Sequence, residues 1–311
     1  MVHCNTFAAS VLTLTLLGPW FLQARSDDIY RNEVDRFRQR REEGLKAEDG
    51  WLSVVGLHWL HQGEQNLGGD PGCDILLPAR APAVVGSLGL TPDGWAEFRP
   101  AAGVRIMKGG APFGGGEIRS DADGKADVLE VDGIRLILLK RGSRYALRVK
   151  DSQSEARASF AGLRWYPVNE DWKITAKFVP APSKTKLVFD TIVGEQDVTT
   201  SPGYVEFERD GKTYKLQAAG EPDGSLWLVF RDGTSGRTTH GGARQLVVPA
   251  PRGETVVLDF NKTVNLPCAY IPFATCPLAP PQNRLGLAIT AGELKYEPAA
   301  RKPARTDVLA R

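Results

Sequence analysis

From Trp51 onward the chain consists of short runs rich in Val, Ile, Leu, Phe and Tyr, cut by Gly, Pro and Asp roughly every ten residues. Runs this short suit strands and are too brief for free-standing helices, so the spacing commits the chain to a mainly β fold of antiparallel sandwich or barrel-type domains. Asp132-Gly133, between Val128 and Leu139, and Asp210-Gly211, between Tyr204 and Leu216, read as hairpin turns, because Asp-Gly accepts the positive φ angles of a type I′ turn. Pro92-Asp93-Gly94 and Pro222-Asp223-Gly224 mark two further turns. One segment breaks the pattern. Tyr30, Val34, Phe37 and Leu45 recur at helical spacing among Arg and Glu, behind a Ser26-Asp27-Asp28 cap, which predicts one amphipathic helix over Asp27 to Ala47, within an N-terminal region 25–50. A chain of 311 residues is long for one core. We expect an N-terminal β domain over 51–149, a second over 150–295 with the boundary near Val149, and a loose tail over 296–311.

The ends and the charge balance bear on compartment and partners. Phe7 to Leu22 is apolar and is followed by Gln23-Ala24, a small residue at a plausible cut, which reads as a signal peptide over 1–24. The stretch falls short of the roughly 20 residues that a membrane-crossing helix needs. The expectation is a periplasmic or secreted protein with no membrane span after cleavage, and the runner-up is a protein anchored by an uncleaved N-terminal segment. Lys and Arg number 39 against 37 Asp and Glu, and no basic run interleaved with aromatics forms a nucleic-acid face, so nucleic acid is not an expected partner. Glu33, Asp35, Glu42 and Glu43 interleave with Arg36, Arg38, Arg40 and Arg41 in the helix, which makes that surface a solvated or packing face.

Several short motifs suggest chemistry and then fail its requirements. QNLGGDPGCDILLP, from Gln65 to Pro78, weakly resembles the opening of forkhead-associated phosphopeptide-binding domains, but Asp70 would repel a phosphate. His58 and His61 form an HxxH pair without a neighbouring acid or thiol at ligand spacing, and a strand would send the two rings to opposite faces. Asp121, Asp123 and Asp127 around Gly124 lack the closing Glu of a calcium loop. The glycines from Gly109 to Gly116 lack the Lys-Ser/Thr ending of a phosphate loop, and neither a Gly-x-Ser-x-Gly elbow nor an HExxH occurs. No metal and no cofactor is expected.

The segment Asp259 to Glu293, DFNKTVNLPCAYIPFATCPLAPPQNRLGLAITAGE, carries the most information. Pro267, Pro272, Pro277, Pro280 and Pro281 exclude regular helix or central strand, so it is a long irregular loop, and such loops inside compact domains are functional or specially braced. Asp259-Phe260-Asn261, Asn265, Pro267-Cys268-Ala269, Ala274 to Leu278, Asn283-Arg284-Leu285 and Ala291-Gly292-Glu293 resemble, in register, the domain-of-unknown-function family 1684. Tyr145 to Asp151, Phe160 to Tyr166 and Phe230 to Gly236 extend that resemblance over about residues 141–295. Two positions depart from the family pattern, His240 where a Tyr is expected and Leu266 where the first Pro of a pair is expected. The resemblance implies no activity.

Two readings of the loop stand side by side. Asp259, Asn261, Asn265, Asn283, Arg284 and Glu293 can brace it by satisfying orphaned backbone groups, or they can line a polar pocket with Tyr270, His240 and Arg244 for a small sugar-like or carboxylate ligand. Cys268 and Cys276 are expected to form a disulfide in an exported protein; two metal ligands, a thiol nucleophile served by His240, or buried free thiols are the competing readings. The sequence thus points to an exported binding or structural module with a small-molecule ligand. The alternative is a hydrolase on a small polar or sugar-derived substrate, with Asp259, Glu293 or His240 as acid or base.

Overall fold

The computed structural model describes residues 19–183 and 185–298. Alternation of apolar and polar residues organises the N-terminal half into two sheets. One runs in the order Val54–Trp59, Arg144–Asp151, Ile134–Arg141, Val128–Val131, Ile106–Lys108, Ala111–Phe113. The other runs Ile75–Leu76, Gly63–Gly68, Gly86–Leu90, Ala96–Pro100, Gly116–Glu117, with its first pair parallel. Both bury apolar side chains into one core that includes Leu67, Leu88, Phe98, Leu136, Leu147 and Val149.

The C-terminal half is built on a seven-stranded antiparallel sheet ordered Thr255–Asp259, Lys173–Pro180, Gly203–Arg209, Lys212–Gly220, Leu226–Phe230, Arg244–Val248, Val264–Asn265. Strand Leu226–Phe230 shows how it serves two cores. Leu226, Leu228 and Phe230 enter one cluster with Phe207, Leu246 and Phe260, while Trp227 and Val229 face another with Leu187 and Phe189 of the hairpin Lys186–Asp190/Gln196–Thr200. The chain is therefore mainly β and antiparallel, as its turn spacing requires. The hairpin readings hold in detail: Asp132 and Gly133 have φ of 47° and 75°, and Asp210 and Gly211 have 53° and 70°, the left-handed pair of a type I′ turn.

The N-terminal helix spans Pro19–Lys46 and so begins before the expected Ser26-Asp27-Asp28 cap. The chain is already helical when it reaches Ser26. The expected signal peptide 1–24 lies outside the described residues up to residue 18, and residues 19–24 belong to this helix. Most of the expected tail also lies outside them. Among the described residues, no helix is long and apolar enough to cross a membrane.

Tyr30, Val34 and Leu45 are buried, so the helix straps onto the protein along an apolar stripe. Its polar side chains reach the C-terminal half: Tyr30 Oη donates to Asp259 Oδ1 at 2.7 Å, Arg38 Nη2 to the Tyr166 carbonyl at 2.9 Å, and Arg41 Nη2 to the Asn265 carbonyl at 2.9 Å. The two β halves also engage each other. Val54 and Trp51, at the entry of the first sheet, pack into the C-terminal cluster of Phe189 and Val229. Arg144 Nε meets Glu195 Oε1 at 2.7 Å, and Arg141 Nε donates to Thr275 Oγ1 at 3.2 Å.

Candidate functional site

The irregular loop Asp259 to Glu293 buries Asp259, Asn261, Asn265, Asn283 and Glu293 and gives each a partner inside the protein, while the buried Thr263 hydroxyl has none among the described residues. Asn283 shows how. Its Nδ2 donates to the carbonyls of Gln217 and Val229, both at 2.9 Å, and its Oδ1 accepts the Gln217 N–H at 2.7 Å. One fully buried amide thus completes three backbone groups of the sheet that the sheet itself leaves open. Asn261 does the same farther along, accepting from Asn169 N at 3.0 Å and donating to the Asn169 carbonyl at 2.8 Å and to Tyr30 Oη at 2.9 Å. Burial, aided by Asp259, pushes the Tyr30 phenol well above its usual range.

Glu293 is the deepest acid. It receives the side-chain amide of Asn265 at 2.8 Å, the Asn265 N–H at 3.2 Å and the Tyr270 hydroxyl, and Arg41 Nε lies 3.8 Å away. Burial holds its carboxyl above the usual value in spite of Arg41, and burial beside Glu293 raises the Tyr270 phenol in turn. Gly292 delivers Glu293 there: it has φ of 83°, and a Cβ on it would sit 2.5 Å from the Thr263 carbonyl, so glycine is needed on both counts. Arg244, also fully buried, pairs with Asp232 and donates to the carbonyls of Ala291 at 2.7 Å and Ile289 at 3.0 Å. Arg284 lies apart and exposed, its Nε on the Ala279 carbonyl at 3.2 Å.

The structure therefore brings Asn265, Tyr270 and Glu293 together and puts Asp259 with Asn261 at the helix, and none of these residues lines the cleft between the two β halves. His240, Cys268 and Cys276 form a second cluster, joined to the first by the His240 backbone N–H, which donates to Asn265 Oδ1 at 3.4 Å. His240 Nε2 is 3.3 Å from Cys268 Sγ, and the Cys268 N–H donates to Cys276 Sγ at 3.2 Å. The expected disulfide is not formed: both cysteines are free thiols, because Cys276 sulfur takes a backbone N–H and Cys268 sulfur turns to the imidazole. Cys276, acting as hydrogen-bond donor, and then His240 lower the Cys268 thiol to about 5. Sharing its proton in this way, together with burial, raises Cys276.

A cleft lies elsewhere, between the two β halves. It is an open cleft of about 500 Å³ whose wall includes Trp51, Arg141 and Arg148 from the first half and Asp197, Trp227 and Gln245 from the second. Thr275 and Cys276 bring one edge of the irregular loop to it. Arg148 is 8% exposed, and its Nε and Nη2 have no hydrogen-bond partner among the described residues. It rests 5.0 Å from the Trp51 ring, and burial, with Arg141 nearby, brings its guanidinium down to about 10. Arg141 is partly spoken for by Asp121 at 2.8 Å. Burial raises the Asp197 carboxyl above its usual range, against the pull of Arg141. Trp227 Nε1 donates to Gln245 Oε1 at 2.7 Å, which leaves the Gln245 amide nitrogen free to donate.

None of Trp51, Arg148, Asp197 or Trp227 stands out in the sequence. Arg148 sits in the alternating strand Arg144–Asp151, where Leu147 and Val149 face the N-terminal core, so periodicity assigns it to solvent. A tryptophan at each wall was the available signal, and it reads equally well as core.

Residues 158–294 match the family described as Protein of unknown function (DUF1684). A solution NMR structure of an uncharacterized protein of Haloarcula marismortui shares 27% identity, covering 44% of this chain and 78% of that one, with a TM-score of 0.38. No curated protein matches.

Proposed function

With residues 158–294 a member of the DUF1684 family, which has no assigned activity, we propose that this protein is an exported small-molecule-binding module whose ligand is a small carboxylate, of the sugar-acid kind, held in the cleft between the two β halves. The observation that carries the reading is Arg148. A guanidinium nine-tenths buried with two unpartnered nitrogens has lost its water without gaining a counter-charge, a cost that a bound anion removes. Trp51 and Trp227 supply the apolar faces on which a sugar ring stacks, and Gln245 and Thr275 supply groups for its hydroxyls. The family portion contributes one wall, and the N-terminal half contributes the arginines. Asp197 lines the same cleft, where burial raises its carboxyl above the usual value against the pull of Arg141.

Export rests on the apolar Phe7 to Leu22 segment and its small-residue cut. A hydrolase using Asp259 or Glu293 has less support, since both acids are enclosed in internal hydrogen bonds away from the cleft. The test is calorimetric titration of the full chain with glucuronate and, in parallel, with glucose. Glucuronate is expected to bind at least about tenfold tighter than glucose, and Arg148→Met to abolish that preference. Equal binding of the two sugars, or a preference that survives Arg148→Met, overturns the reading.

A further inference from the structure

We infer that Cys268 and Cys276 are a peroxide-reactive thiol pair, in which Cys268 attacks, Cys276 resolves and His240 handles the proton. Three groups from separate positions in the chain converge. His240 Nε2 lies 3.3 Å from Cys268 Sγ, and Cys276 Sγ lies 3.2 Å from the Cys268 backbone nitrogen. Gly242 makes room for the imidazole, because a Cβ there would stand 2.9 Å from His240 Nε2 and 3.8 Å from Cys268 Sγ. Cys268 is half-buried, whereas Cys276 is 5% exposed, an order that suits an attacking sulfur backed by a resolving one. The charged and titratable groups that bear on the pair are His240 and, through Cys276, Arg148. Both are basic, and both favour a thiolate. The lowered Cys268 thiol agrees with this geometry.

The chemistry balances with a hydroperoxide as the oxidant. Cys268 thiolate attacks the distal peroxide oxygen; the S–O bond forms, the O–O bond breaks, and the departing alkoxide or hydroxide takes the proton shared with His240. The sulfur is oxidised by two electrons to a sulfenic acid, and the peroxide is reduced to an alcohol or water. The Cys276 thiol then displaces the sulfenic oxygen, which leaves as water with the thiol proton, and the S–S bond forms. An external dithiol returns both sulfurs to thiols. Cys73, the remaining described cysteine, is far along the chain, with its sulfur on the Ala83 carbonyl at 3.5 Å and burial, then Asp70, raising its thiol. It serves as an internal control.

Cys276 also borders the proposed ligand cleft, but the test reads the sulfurs directly and needs no ligand, so its failure and that of the ligand reading are distinct. The experiment reduces the full chain, adds one equivalent of hydrogen peroxide, and follows each cysteine by alkylation under denaturing conditions and mass spectrometry. The expected result is selective loss of alkylable Cys268 and Cys276 as a bonded pair, restored by dithiothreitol, with Cys73 unchanged. Cys276→Ser should stop the reaction at a Cys268 sulfenic acid that dimedone traps, and Cys268→Ser should leave Cys276 unoxidised. His240→Asn should slow Cys268 oxidation about tenfold and move the pH midpoint of its alkylation upward, with the circular dichroism melt unchanged. Oxidation of Cys73 as fast as Cys268, unchanged peroxide consumption in Cys268→Ser, or a native bond that dithiothreitol does not open overturns the inference.

Discussion

The loop Asp259 to Glu293 and the cleft above Arg148 are both rich in polar side chains, and they dispose of them in opposite ways. In the loop, Asn261, Asn265 and Asn283 are wholly buried and spend their amides on backbone groups. Arg244, equally buried, has Asp232 and two carbonyls. In the cleft, Arg148 is nearly as buried and its Nε and Nη2 have nothing. A polar group that is fully satisfied internally has no free energy left for a ligand, whereas one desolvated and unpaired gains by binding. Polarity in an irregular loop is therefore a poor guide to a binding site until its hydrogen bonds have been followed to their ends.

The sharpest way to break this contrast is at Arg244. Arg244→Met leaves Asp232 buried without its counter-charge and is expected to cost about 3–5 kcal/mol of unfolding free energy in urea titration. A cost near zero would mean that the loop is not held by this pair. Asn283→Leu leaves the Gln217 and Val229 backbone groups unsatisfied and should cost roughly 1–3 kcal/mol by the same measurement. The corresponding change in the cleft goes the other way. Arg148→Met removes an uncompensated buried charge, so stability should stay within about 1 kcal/mol of the parent or rise. A loss as large as that at Arg244 would show that Arg148 is structural.

The smallest effect lies in pH dependence. Burial raises the Glu293 carboxyl in the folded state, so the fold binds that proton more tightly than the unfolded chain does. Its contribution to stability is fully present below the unfolded value of about 4.3 and is lost as pH rises through the folded value. Glu293→Gln should flatten that part of the stability profile, read as melting temperature against pH. A profile that keeps its slope would place the titration elsewhere.

How much of this was legible beforehand differs by element. Asp132-Gly133 and Asp210-Gly211 announced their hairpins because a two-residue turn needs only its own backbone preferences. Tyr30, Val34 and Leu45 announced a helix for the same local reason, although the helix is already running when it reaches the Ser26 cap. The resemblance of the Asp259 to Glu293 motifs to the DUF1684 family was specific enough to identify that half of the chain. The roles of those residues were not legible, since an asparagine reads alike whether it meets a carbonyl or a sugar. The thiol pair was visible as a pair, but the expected bond gave way to two thiols that share His240 and a backbone N–H.

By itself the sequence determined what depends on neighbours along the chain: the β class, the turns, the helix, and the match of residues 158–294 to the DUF1684 family. Only the tertiary structure decided which polar groups are satisfied. That depends on contacts such as Tyr30 with Asp259 and Arg41 with Asn265, which join residues more than 200 positions apart. It also depends on Arg148, which strand alternation places in solvent and which the second β half covers. Desolvation is a property of the whole fold, and the cleft exists because two separately patterned halves meet across it.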